Sequence, residues 1–390
     1  MTNGDPVHQQ VPPRRSRTIG IRGRIADLIS RRRYHLPLGY SLPPTFVFLH
    51  MTWKCNLRCK MCPYWGDIGA RKDMSAQQLR HEFTRDELLN IVKQLATFRP
   101  TVCLYGGEPL LHQDVPDVLA VLAERSVPTQ IITNGVFLEK HAEAIVQNRV
   151  EQVGLSIDGP GVVHDEIRGV PGTFKRLQAG VRLIGEIKRQ SGSSAPRLVV
   201  NLTLHDLNVG RLEEMVEVAS DLEVDKLRIN HQWFTTEESY LEHLEFSRRV
   251  LGSECTTWQS YVRQLPVVNL DGFQETMTRL RKSAGQNGIE LVEFPRFDPE
   301  ELHDFYSQRE FRPRSQRHRC SEPWYKGVIM PDGAVWMCLD LSYELGNVLE
   351  TPFLDVWNSA KARYYRSQLH DLGPFPVCWR CCGLYRSLPT

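Results

Sequence analysis

Between residues 45 and 234 the chain alternates two hydrophobic patterns. Short runs rich in apolar and β-branched residues, TFVFLHM, TVCLY, TQIIT, VGLSI, RLVVNLTL and KLRINHQW, have the length and composition of buried strands. Between them lie TRDELLNIVKQLATF, DVPDVLAVLAER, EKHAEAIVQN, TFKRLQAGVRLIGEIKRQ and VGRLEEMVEVASDL, whose apolar positions recur at helical spacing. The first of these opens with Thr84 and Glu87, the spacing of a capping box. Strands alternating with helices of this length pair in parallel through right-handed crossovers, so the segment predicts an α/β unit of about six βα repeats. Such a sheet carries its site at the carboxyl ends of the strands.

The flanks have a different texture. Residues 1–44 are rich in Pro and Arg and contain IRGRIADLISRRR, which reads as a solvated tail or small surface helix, with partner docking as the alternative. Residues 235–312 are charged and helical in tendency, through EESYLEHLEFSRRVL and FQETMTRLRKSAGQNG; the lone Cys255 there reads as structural. A third unit, 313–390, opens with the hairpin pattern GVIMPDGAVWMC, turned by Pro331-Asp332-Gly333, and continues through the helical LDVWNSAKARYYRSQL to a cysteine-rich end.

Composition narrows the chemistry. A net charge of +2 on 390 residues gives no reason to expect nucleic acid or membrane as a general partner. There is no run of about 18 apolar residues and no secretory signal, so the expected compartment is the cytoplasm. In a reducing compartment the ten cysteines are not a disulfide framework. Eight of them fall in two groups, Cys55, Cys59 and Cys62 directly after the first strand, and Cys320, Cys338, Cys378, Cys381 and Cys382 near the end. Cys103, within TVCLY, reads as core.

A structural zinc site closes on four ligands. The early group supplies three thiols at C-x3-C-x2-C spacing with no His beside them. Three thiolates from one loop instead suit an iron-sulfur cube whose fourth iron stays open to an exogenous ligand. The loop CNLRCKMC resembles the signature of radical S-adenosylmethionine enzymes. That resemblance implies an α/β fold, a partial (β/α)6 barrel over 45–234 with a small C-terminal cysteine-rich hairpin-plus-helix domain. It also implies a [4Fe-4S] cluster on Cys55, Cys59 and Cys62, whose open iron chelates S-adenosylmethionine, and an electron donor such as flavodoxin or ferredoxin. Reductive cleavage would give methionine and a 5′-deoxyadenosyl radical that abstracts hydrogen from substrate. The residue before the third cysteine, often aromatic in the family, is Met61 here, which can still pack against adenine.

Later strand ends extend the likeness. Gly106-Gly107-Glu108-Pro109 matches the family's GGEP segment, which implies binding of the methionyl amino group; an ordinary Gly-Gly turn is the bland reading. Thr133-Asn134-Gly135 is similar to the family's strand-end turn, or is a plain turn. In SIDGPGVVHDEIRG the resemblance implies that Ser156 and Arg168 contact S-adenosylmethionine, while Asp158 reads as a turn and capping residue. Asn201, His231 and Gln232 are either ribose or adenine contacts or satisfied strand-end groups.

The last group, with Gly333, Gly346-Asn347, Trp357 and PVCWRCC, resembles the SPASM or shortened twitch extension, implying an auxiliary [4Fe-4S] cluster on Cys320, Cys338, Cys378 and Cys381. Cys382 is the alternative to Cys381, and a zinc site of the same cysteines is the bland reading. The function implied is hydrogen abstraction from a small-molecule or peptide substrate, the auxiliary cluster accepting an electron or anchoring substrate. A peptide-modifying maturase remains an alternative, as does a non-catalytic iron-sulfur or zinc protein. Tyr64, Tyr105, His164, His231 and Glu293 are equal candidates for a catalytic acid or base, and none stands out.

Overall fold

The computed structural model of the chain describes residues 36–386 apart from 67, 68, 73, 81, 266 and 315–318. The basic segment IRGRIADLISRRR lies outside them. Each predicted apolar run forms a strand: β1 (Phe46–His50), β2 (Thr101–Tyr105), β3 (Thr129–Thr133), β4 (Gln152–Ser156), β5 (Arg197–Thr203) and β6 (Lys226–Asn230). They pair in parallel in chain order, with helices between them. The capping box is present: Thr84 Oγ1 accepts from Glu87 N at 3.3 Å while Glu87 Oε2 accepts from Thr84 N at 2.8 Å. The helix it opens buries Leu88, Ile91, Val92 and Leu95 against the sheet.

The sheet is longer at both edges than the pattern predicts. A seventh parallel strand, β7 (Glu290–Phe294), pairs with β6 inside the segment read as helical. As an edge strand it can carry charge, and its sequence ELVEF hides in a charged stretch for that reason. Glu290 pairs with Lys226 and Arg197, and Glu293 with His231 and Arg281. At the other edge the predicted hairpin forms β8 (Lys326–Ile329) and β9 (Ala334–Cys338), followed by β10 (Leu341–Asn347). Here β8 pairs in parallel with β1, so the cysteine-rich unit continues the barrel sheet as one ten-stranded surface. Gly333 takes the hairpin turn at φ +84°, a conformation that favours glycine.

The last helical segment is two helices, Phe353–Trp357 and Ala360–Leu372, broken where Asn358 hydrogen-bonds both ways to the backbone of Ser41 and Ser359 caps the second. Arg366, fully buried, donates to the carbonyls of Gly39, Pro323 and Trp357, and Trp357 Nε1 donates to Leu42 O at 2.9 Å. These bonds clasp the C-terminal unit to the segment preceding β1. They hold the C-terminal unit beside β1.

Candidate functional site

The cysteine loop leaves β1 and is gripped from two sides. From β2, Gly107 N donates to Thr52 O and Glu108 N to Lys54 O, both at 2.9 Å. The glycines are needed for this approach: a Cβ on Gly107 would stand 1.9 Å from Lys54 O, and one on Gly106 2.7 Å from Thr52 O. The close neighbour of the two glycines is thus the cysteine loop itself. From the other side, the C-terminus of the helix Gly161–Arg168 accepts from Lys60 N at 2.9 Å and Arg58 N at 3.4 Å through the carbonyls of Ile167 and Arg168.

Held in this way, Cys55, Cys59 and Cys62 line one cavity of about 330 Å3. None of the ten cysteines is in a disulfide. Each of the three sulfurs faces a donor: Leu57 N lies 3.5 Å from Cys55 Sγ, Arg168 Nη1 3.7 Å from Cys59 Sγ and Trp65 N 3.3 Å from Cys62 Sγ. Burial pushes the Cys55 thiol up to about 12 and the Cys59 thiol to about 11, the Arg168 guanidinium opposing the latter. Buried thiols with N–H groups aimed at sulfur are suited to a thiolate-bound cluster, since metal binding releases the proton and the donors then stabilise the sulfur charge. Among the described residues no group of three or more His, Cys, Asp or Glu converges on a single-ion site. A cube, by contrast, takes each thiolate on a different iron.

The predicted ligand-binding residues cluster around these cysteines. Gly106, Gly107, Glu108, Ser156, Arg168, Asn201, His231 and Gln232 all line the cavity; Pro109 opens the short turn Pro109–Leu111 behind Glu108. Glu108 accepts from Thr133 Oγ1 at 2.6 Å, Asn134 N at 2.8 Å and Leu110 N at 3.1 Å, so it ties the end of β2 to the turn after β3. Burial lifts its carboxyl to about 7 against those donors. Asp158 is more than a turn residue: fully buried, it accepts from Thr203 N at 2.8 Å and pairs with Arg168 at 2.5 Å. It thereby anchors the helix that grips the cysteine loop.

Of the acid and base candidates, Tyr64, Tyr105 and His231 reach the cavity. Both His231 nitrogens are engaged, by Tyr306 Oη at 2.9 Å and Glu293 Oε1 at 3.3 Å. Glu293 is occupied by that histidine and by Arg281. His164 packs against Phe174 and takes the Asp158 N–H at 3.3 Å, a bracing position.

The opposite wall comes from the C-terminal unit. Lys326, Leu339, Asp340 and Cys382 line the same cavity as the three early cysteines. Asp340 Oδ1 accepts from Tyr64 Oη at 2.7 Å and Tyr261 Oη at 2.6 Å, and burial raises its pKa against these hydrogen bonds. Neither Asp340 nor Lys326 stands out in the sequence, although each is a lone charge in an apolar hairpin, in MCLDL and YKGVIM. The adjacent cysteines part company. Both neighbour the other thiols, Cys381 lying near Cys382, Cys338 and Cys378, the last two of which adjoin Cys320, but of the two only Cys382 also lines the cavity. Cys103 and Cys255 are buried in the core.

Residues 49–219 match the family model described as the radical SAM superfamily, and residues 320–382 that of an iron-sulfur cluster-binding domain, SPASM. Pre-heme d1 synthase of Dinoroseobacter shibae is 30% identical over 50% of this chain and 45% of its own length. Fe-coproporphyrin III synthase of Methanosarcina barkeri is 25% identical over 80% of this chain and 73% of its own. The chain thus spans less than half the length of the first of these relatives. Among solved structures, Streptococcus suis SuiB superposes at a TM-score of 0.59 with 14% identity, covering 93% of this chain and 76% of that one, which establishes a shared fold.

Proposed function

From the premise that this chain belongs to the radical SAM superfamily and carries a SPASM iron-sulfur cluster-binding domain, we propose that it is a radical enzyme that abstracts hydrogen from a substrate carbon in the cavity between its two cysteine groups. The observation that carries this reading is that Cys55, Cys59 and Cys62 and the C-terminal residues Lys326, Asp340 and Cys382 line one cavity. When bound, a [4Fe-4S] cluster with an open iron supplies the electron that splits the S-adenosylmethionine sulfonium into methionine and a 5′-deoxyadenosyl radical.

The chain's own residues do the remainder. Cys55, Cys59 and Cys62 would hold the cluster, on a loop whose course depends on the close approach of Gly106 and Gly107. Glu108, with Ser156 and Arg168, forms the polar rim for the methionyl and ribose groups; the Nε of Arg168 is buried without a partner, which leaves it able to bond a carboxylate. Asp340, its ionised form steadied by two tyrosine hydroxyls, accepts the proton released from substrate. Cys320, Cys338, Cys378 and Cys381 would hold an auxiliary cluster, which would supply an acceptor for the electron left on substrate. An external donor such as flavodoxin or ferredoxin would re-reduce the first cluster.

Phe48, Ile132, Trp233 and Leu339 give the cavity apolar faces, which suit a small organic substrate, and both relatives described above are named as synthases of small molecules. A peptide is the second reading. A polar cavity of about 960 Å3, lined by Thr236, Ser260, Val262 and Arg263, flanks Tyr261, which lines the first cavity, and is large enough for part of an extended chain.

The test is production of 5′-deoxyadenosine from S-adenosylmethionine by the anaerobic, reduced protein. The expected result is production by the parent and none by Cys59→Ala. Turnover retained in that variant contradicts the assignment.

A further inference from the structure

Cys320, Cys338, Cys378 and Cys381 of the C-terminal unit have a charged pair built against them. Lys326 and Glu322 form an ion pair with both side chains about 5% exposed or less. Glu322 begins the short turn Glu322–Trp324, two residues after Cys320, and its backbone hydrogen-bonds the Cys320 thiol. Its carboxylate neighbours Cys320, Cys338 and Cys381. Lys326 begins β8 at the seam with the barrel, opposite Phe46 of β1, with Nζ 5.6 Å from the Phe48 ring centroid. Its ammonium acts on Cys338 against the effect of burial, while the Glu322 carboxylate acts with it. Lys326 also lines the substrate cavity. The packing sets the carboxylate beside the thiol: a Cβ on Gly383 would stand 2.8 Å from Glu322 Oε2 and 3.4 Å from Cys381 Sγ.

Burying two charges costs several kcal/mol per ion, and a hydrophobic pair of the same volume is often at least as stable. Stability alone therefore gives a weak account of this pair. Its position gives a better one, because a fixed charge in a poorly polarisable site acts strongly on any neighbouring centre whose charge changes. We propose that Glu322 and Lys326 set the reduction potential of the auxiliary cluster, the ammonium favouring its reduced form and the carboxylate its oxidised form. They are positioning residues between the substrate cavity and the electron acceptor. This inference rests on the reading that Cys320, Cys338, Cys378 and Cys381 hold a cluster.

The experiment is a potentiometric titration, followed by electron paramagnetic resonance, of the reconstituted full chain with Cys55, Cys59 and Cys62 replaced by Ala, so that only the auxiliary cluster is seen. No substrate or S-adenosylmethionine is added, so a binding role for Lys326 does not enter. Lys326→Met is expected to shift the potential negative and Glu322→Gln to shift it positive. Lys326→Arg and the double variant, Glu322→Gln with Lys326→Met, keep the net charge and are expected to stay near the parent; they carry the comparison if a single variant folds poorly. Unmoved potentials, or shifts of the same sign in both single variants, overturn the proposal. If the triple-alanine parent binds no iron-sulfur cluster, the cluster reading has failed and the proposal falls with it.

Discussion

Asp340 is the side chain on which the chemistry of the outer wall turns. It is buried, faces the cavity, and receives hydrogen bonds from tyrosines of two distant segments. Asp340→Asn is isosteric but cannot take a proton. It is expected to lower substrate turnover by about 100-fold or more while cleavage of S-adenosylmethionine without substrate continues, since removing a general base typically costs that much. Equal loss of both activities would make Asp340 structural. Glu108 gives a pH signature of the fold. Its carboxyl is held up near 7 by burial, above the ordinary value of about 4.5. Between those values the unfolded chain ionises and the folded chain does not, so this group's contribution to stability falls as pH rises from 5 to 7. Relative to Glu108→Gln, the parent apoprotein is expected to lose on the order of 2 kcal/mol across that window, read from denaturant unfolding at several pH values. A parallel pH dependence in the two proteins contradicts the assignment. The cysteines and GGEP were legible in the sequence because their spacing is local. Asp340 and Lys326 were not, because their importance comes from tyrosines and thiols more than 50 residues away in the chain or on another strand.

At the scale of elements, the strands of the barrel were legible because each carries a short apolar or β-branched stretch that is buried between helical segments. β7 escaped notice for the converse reason: its two glutamates are tolerated at a sheet edge. The hairpin was readable from Pro331-Asp332-Gly333, but its parallel pairing to β1 was not, since nothing local specifies a partner strand nearly 280 residues away. The contact between the GGEP turn and the cysteine loop is equally nonlocal. Gly107→Ala forces a methyl group against Lys54 O. It is expected to cost about 2 kcal/mol, within the range for overpacking, and to lower iron retained by the barrel site while the C-terminal iron stays. Normal iron in both sites would show that the loop yields without losing its geometry.

For the whole molecule, continuity of the sheet is what joins two cysteine sites into one machine. β8 adds to β1, the strand from which the first cysteine loop departs, and the Arg366 and Trp357 clasp fastens the C-terminal unit to residues 39–42. The same surface thus carries Cys55, Cys59 and Cys62 on one wall of the cavity and Asp340, Lys326 and Cys382 on the other. No described helix is long and apolar enough to cross a membrane. On the reading proposed above, each cysteine group holds its own cubane cluster. The direct measurement is iron, sulfide and zinc per chain after anaerobic reconstitution, in the parent and in the variant with Cys55, Cys59 and Cys62 replaced by Ala. Two cubane clusters give about eight irons falling to about four, with matching sulfide and no zinc. About four irons falling to none, with zinc retained, would make the C-terminal unit a structural zinc site and contradict that reading.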